Sequence, residues 1–181
     1  MAILVANYRG VSGVSRAIEL LTYSVYSHTA ALFDSDMSVM VDGKTHDIAK
    51  GSVIEAWSGG VRLAGSLGEN HTQRIQVDIL ELKTPLGELE EHRIAAFLIR
   101  SLGKKYAYLN VARFIPMIRA IIPKPLPYRY DRTHVFCTEL VFEAFAAGGR
   151  ELLERCNFWE VPPRDAARSP LLYLKRTEWT A

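Results

Sequence analysis

Residues 134–149 read HVFCTELVFEAFAAGG, and the architecture turns on this segment. Val135, Phe136, Leu140, Val141, Phe142, Ala144 and Phe145 cover a helix on nearly every side, leaving Glu139 and Glu143 as a polar stripe. A helix apolar almost all round is a buried one, and Gly148 and Gly149 supply its stop. Cys137 falls in the first turn, where free backbone N–H groups and the helix dipole favour negative charge. A thiol there is either a packing residue or an activated nucleophile. Taken alone it is ordinarily the former, because free cysteine is among the most buried residue types.

Composition narrows the classes. At 181 residues the chain suits a single domain, residues 1–181, and can bury about two-thirds of its unfolded surface. Hydrophobic residues make up 49% and charged residues 23%, the balance of a globular chain. A net charge of +2 implies no nucleic-acid partner. Cys137 and Cys156 are the only cysteines, so no disulfide framework is indicated. The five histidines show no H-E-x-x-H spacing and the cysteines no C-x-x-C, so neither a metal nor an organic cofactor is called for. The N-terminal MAILVANYRG has no basic leader, and its apolar run is too short for a signal segment. No window reaches the length of a membrane span, and the expected location is the cytoplasm.

Along the chain, AILVANY (2–8) predicts a strand and VSGVSRAIELLTYS (11–24) a helix, capped by Ser12 or Ser15 with Val14, Ile18 and Leu21 inward. HTAALFD (28–34), GSVIEAW (51–57) and GGVRLAG (59–65) are further strand candidates. QRIQVDILEL (73–82) alternates Ile75, Val77 and Ile79 against Arg74, Gln76 and Asp78, the clearest strand signature in the chain. Thr84-Pro85 opens a helix to Leu102 with proline in the favoured first position, and YAYLNVARFIPMI (106–118) predicts another. The three prolines of IPKPLPY (122–128) suit neither a helix nor a central strand. VPPRDAARSP (161–170) reads as a loop and LLYLKR (171–176) as an edge strand. Strands and helices are segregated, which predicts an α+β fold with a largely antiparallel sheet.

An activated thiol needs a base, usually histidine, and a polar group to orient that base. His28 heads a strand, and Glu55 lies inside the next one, flanked by Ile54, Ala56 and Trp57. A carboxylate buried there needs a partner, and adjacent strands in the right register would place His28 beside it. Singly, each residue has a plainer explanation: an exposed or satisfied histidine, and a glutamate on the solvent face of an edge strand. His134, three residues before Cys137, reads as loop surface or the approach to the helix rather than as the base.

Together, YRGVSGVSRAIELLTYSVYSHTAALF, VIEAWSGGVRL and FCTELVFEAF resemble the circularly permuted NlpC-type papain-like cysteine hydrolases. That family includes the bacterial YiiX-like proteins and, more distantly, relatives of lecithin retinol acyltransferase. The resemblance runs from about residue 8 to residue 169, with PPRDAARSP similar to the family's closing loop. Ser27-His28 matches the family's Ser-His, Glu55 its acidic residue, and Cys137-Thr138-Glu139-Leu140 its Cys-Ser-Glu-Leu, with Thr138 departing from serine. The resemblance implies a permuted papain-like fold, with an antiparallel sheet packed against a buried helix that begins at the cysteine.

It also implies a catalytic triad of Cys137, His28 and Glu55, an acyl-enzyme intermediate, and a small-molecule or peptide-like acyl substrate. Amide hydrolysis is the first expectation. An acyltransferase or lipid acyl hydrolase of the retinol-related branch is the second, and an inactive binding module on the same fold the third. Membrane association would accompany the second, and only the basic, apolar stretch 113–132 points that way. A sharper expectation makes 112–132 a wall or lid of the cleft, with Arg129 and Arg132 receiving an anionic group. Oligomeric state is not legible.

Overall fold

The computed structural model describes residues 3–108, 133–154, 157 and 161–180. In chain order these form β1 (Ile3–Arg9), α1 (Gly13–Thr22), β2 (His28–Phe33), β3 (Met37–Val41), β4 (Lys44–Ile48), β5 (Val53–Trp57), β6 (Gly60–Ala64) and β7 (Gln76–Leu82). There follow α2 (Glu88–Arg100), β8 (Lys105–Tyr106), β9 (His134–Val135), α3 (Cys137–Ala147), α4 (Pro163–Ala166) and β10 (Leu172–Trp179). Six strands make one antiparallel sheet in the order β10-β7-β1-β2-β5-β6. The expected α+β class with a mostly antiparallel sheet is what the structure has.

Both faces of the sheet centre are covered, which is why β1 and β2 read as continuous apolar runs. On one face Ile3, Val5, Ala31, Phe33 and Ile54 pack with Ile94 and Leu98 of α2 and Leu140, Val141 and Phe142 of α3. On the other, Leu4, Ala6, Tyr8, Ala30, Leu32, Val53, Val77 and Ile79 form a second cluster, with Leu67 packed against it. Successive strand residues point to opposite faces, so each strand contributes to both cores. Among the described residues, no helix is long and apolar enough to cross a membrane.

Several expectations are corrected. Helix α2 starts at Glu88 with Gly87 as its N-cap, not at Pro85; the Gly87 N–H donates to the Glu90 carboxylate at 2.7 Å. That bond closes the first turn and fixes the start where a proline signal suggested an earlier one. Tyr106, expected to open a helix, instead forms β8 with Lys105, because the two pair in parallel with Val135 and His134. The remainder of the helix expected at 106–118, the proline-rich 122–128 and the lid at 112–132 lie outside the described residues, except Ala107 and Tyr108. Residues 163–166, expected as loop, make one helical turn behind Pro162, and β10 runs on to Trp179.

The hairpin β3–β4 was not expected at all. Asp42 and Gly43 join Val41 to Lys44 with φ of 51° and 77°, the two left-handed residues that a tight hairpin turn requires. Glu139 is not part of an exposed stripe either: it is buried, and its carboxylate accepts the Phe136 N–H at 3.3 Å across the first turn of α3. Ser12, of the two candidates, caps α1, accepting the Ser15 N–H at 3.1 Å.

Candidate active site

The site arises where the sheet comes apart. Strands β2 and β5 pair at Ala31↔Ile54 and Leu32↔Val53, and the pairing stops there. Phe33 donates its N–H across to Ser52, so amides two residues apart along β2 point at β5. Thr29 is the next such residue beyond the end of the ladder, and its amide helps to lower the Cys137 thiol pKa instead. Helix α3 therefore presents its first residue to the opening between the two strands. Strand β9 leads into it, with β8 as its partner and Phe136 as the N-cap.

His28 lies at the first position of β2, opposite Tyr8 of β1, and Glu55 is central in β5. Their side chains share the sheet face of Tyr8, Ala30 and Val53, and the His28 Nε2 meets the Glu55 Oε2 at 2.7 Å. Nε2 so engaged leaves Nδ1 on the side of the thiol, and the imidazole and the Cys137 sulfur are near enough for each to shift the other's pKa. His28, Glu55 and Cys137 are respectively 5%, 2% and 3% exposed, so the pairings operate in a site that excludes most water. Residues 28, 55 and 137 thus meet in one buried cluster.

Charge follows from these contacts. Burial alone would lower the His28 pKa, but the bonds to Cys137 and Glu55 prevail and hold it at about 9. Burial would raise Glu55, yet the His28 bond and charge, the Asn70 amide and the Arg62 charge bring it to about 2. Burial likewise opposes ionisation of Cys137; the His28 bond and charge, the Thr29 amide and the Thr138 hydroxyl outweigh it and lower the thiol pKa. The arrangement favours a thiolate–imidazolium pair backed by a carboxylate. Tyr106 packs against the cluster that holds Cys137, and burial with the nearby sulfur charge keeps its phenol protonated.

Four participants were not read from the sequence. Asn70 Nδ2 donates to Glu55 Oε1 at 2.6 Å. Arg62 places Nε 3.6 Å from the same oxygen and lies over the Trp57 ring at 5.6 Å. His71 packs its ring 4.9 Å from that of Tyr8 and 5.0 Å from that of Trp57, which is itself 4.9 Å from His28. Tyr106 is the fourth. Only Arg62 left a usable signal: the tight turn at Ser58-Gly59 sets the register Glu55↔Arg62 across the hairpin. Asn70 and His71 sit in a polar loop that resembles any surface turn. His134 occupies β9, where its Nδ1 hydrogen-bonds the Thr133 hydroxyl at 2.9 Å. Asp34, just past the far end of β2, pairs with Lys175 and Arg176 at 3.1 and 3.2 Å, on the β10 side.

No protein-family model matches the sequence, and no curated protein does. Among solved structures the chain is similar to the crystal structure of metalloprotein YiiX from Escherichia coli O157:H7. The TM-score is 0.54 with 18% identity, over 100% of this chain and 96% of that one. The likeness is one of fold. YiiX therefore speaks to the path of the chain, and the chemistry has to be argued from the residues above.

Proposed function

We propose that this protein is a cysteine hydrolase of the permuted papain-like kind, cleaving an amide bond through Cys137, His28 and Glu55. The observation that carries the reading is the buried His28–Glu55 pair at 2.7 Å with the buried Cys137 thiol beside the same imidazole. The permuted order, histidine strand first and cysteine helix later, is supported by the order of β2, β5 and α3 along the chain.

In this reading the Cys137 thiolate attacks the amide carbon, and the carbonyl oxygen takes the negative charge. The N–H of Cys137 at the start of α3 is the natural donor to that oxyanion. His28 gives its proton to the departing amine, and the C–N bond breaks to leave a thioester. Water then attacks the thioester with His28 accepting its proton, and the thiolate leaves with the acid released. Glu55 keeps the imidazole in one tautomer and stabilises its charged form without taking the proton.

YiiX is described as a metalloprotein. Here Glu55 engages both oxygens and the His28 ring is committed to Glu55 and Cys137. Among the described residues, no group of three or more His, Cys, Asp or Glu side chains is arranged to hold a metal ion. The described residues do not fit one, and no step is routed through a metal.

The deciding experiment is product analysis with a panel of N-acyl amides, short peptides and lipid esters, alongside a thiol-directed activity probe. Amide cleavage with probe label on Cys137 is expected. Transfer of an acyl group to a second substrate would move the protein to the acyltransferase class, and an unlabelled Cys137 would leave a binding module.

A further inference from the structure

Glu55 has two oxygens and only one imidazole to meet. Oε2 takes His28, and Oε1 is buried with it, where an acceptor without a partner is costly. Asn70 meets that need at 2.6 Å. Arg62 stands farther off at 3.6 Å, and its Nε has no hydrogen-bond partner among the described residues, so it supplies charge without direction. The last torsion of a glutamate side chain is broad. A second directional bond is what stops the carboxylate from swinging away from His28.

We propose that Asn70 is a positioning residue that acts through Glu55, fixing the plane of its carboxylate and thereby the protonation of His28 and the ionisation of Cys137. The inference rests on the cysteine-hydrolase reading and deepens it. An amide suits the position because it donates without carrying charge, so it does not compete with the imidazolium for the carboxylate's charge. The loop that delivers it, residues 65–73, is braced on either side of Asn70. The Glu69 carboxylate accepts the Gly65 N–H, and the His71 N–H donates to the Gly68 carbonyl at 2.9 Å. Leu67 packs on the second core, and the His71 ring contacts both Tyr8 and Trp57. The loop would thus belong to the site as much as β2, β5 and α3 do.

The test is the pH dependence of Cys137 alkylation by iodoacetamide on the full chain, followed by peptide mapping, with thermal unfolding measured beside it. If wild-type Cys137 alkylates at pH 6 no faster than an ordinary thiol, the hydrolase reading fails whatever Asn70 does. If the wild-type thiol is activated, Asn70→Leu, which keeps volume and removes the donor, should slow alkylation at pH 6 roughly tenfold and move its midpoint upward. Asn70→Gln, which keeps an amide, should recover part of that loss. A folded Asn70→Leu with the wild-type profile overturns the inference. Should that variant unfold at the assay temperature, Asn70→Ala is read the same way, and an unchanged profile there overturns it equally.

Discussion

His28 and His71 pack against the same tyrosine, yet the structure gives them opposite charge states near neutrality. Burial lowers both pKa values; only His28 bonds a carboxylate and a thiol, and it rises to about 9 while His71, near the His28 charge, falls to about 4. Iodoacetamide near pH 6 should therefore modify Cys137 much faster than Cys156, which lies outside the described residues; equal rates would argue against an activated thiol. Cys137→Ala and His28→Ala should abolish turnover, while Glu55→Gln keeps a hydrogen bond and should lose less. Stability provides a second measure. A histidine raised from 6.5 to about 9 stabilises the fold fully below 6.5, and that contribution disappears as pH rises through 9. A glutamate lowered from 4.5 to about 2 contributes fully above 4.5 and loses its effect as pH falls through 2. The melting-temperature advantage of wild type over Glu55→Gln should then be widest between pH 4.5 and 6.5 and shrink on both sides. An advantage that grew towards alkaline pH would mean that His28 is neutral in the fold.

At the scale of elements, the two glycines after α3 do different jobs. Gly149 has φ of +88°, the left-handed conformation that ends the helix, whereas Gly148 is the C-cap at φ −76° and needs no such freedom. A Cβ on Gly148 would stand 2.5 Å from Ile94 Cγ1 and 3.1 Å from the Glu90 carbonyl, so it is small in order that α2 and α3 can approach. Gly148→Ala should cost about 1–3 kcal/mol through overpacking and Gly149→Ala about 1–2 through backbone strain, both visible in chemical denaturation. Gly10 is comparably tight: a Cβ there would fall 2.5 Å from the Ser27 Oγ that accepts its N–H, directly before His28. Gly10→Ala should thus lower stability and activity together. The elements that hold His28, Glu55 and Cys137 were legible because strand alternation and the apolar surround of α3 are local patterns. The β3–β4 hairpin was legible too, in Asp42-Gly43 between two short alternating runs, but its strands are polar on one side and so weak in apolar signal. The two-residue β8 depends on pairing with His134 and Val135, more than twenty positions away, which no local pattern contains.

For the whole molecule, the sheet order cannot be deduced from the order of strands along the chain. β1 and β2 are joined through α1, but β7 inserts on the other side of β1 and β10 closes that edge. Asp78 ties these pieces together: it is buried, accepts from Arg9 and Tyr26 at 2.6 and 2.7 Å, and takes the Thr177 hydroxyl of β10 at 2.7 Å. The alternation that predicted β7 correctly gave Asp78 the polar face, yet that face is interior here. Asp78→Ala should lower stability by about 1.5–3 kcal/mol, the scale of charged hydrogen bonds, with Arg9 free to turn to solvent. The denaturation midpoint should fall with an unchanged slope, since the surface exposed on unfolding is nearly the same. A changed slope would mean that β10 detaches separately from the rest.

The Thr29 amide, beside the sulfur where a strand partner would otherwise be, gives the site a built-in clock. Its exchange with deuterated solvent should slow as Cys137 ionises and draws the amide towards the thiolate, whereas the ladder amide of Phe33 on the same edge depends only on the sheet. The ratio of the two exchange rates should follow the thiol's titration in the absence of any substrate. In Cys137→Ala that ratio should lose its dependence on pH.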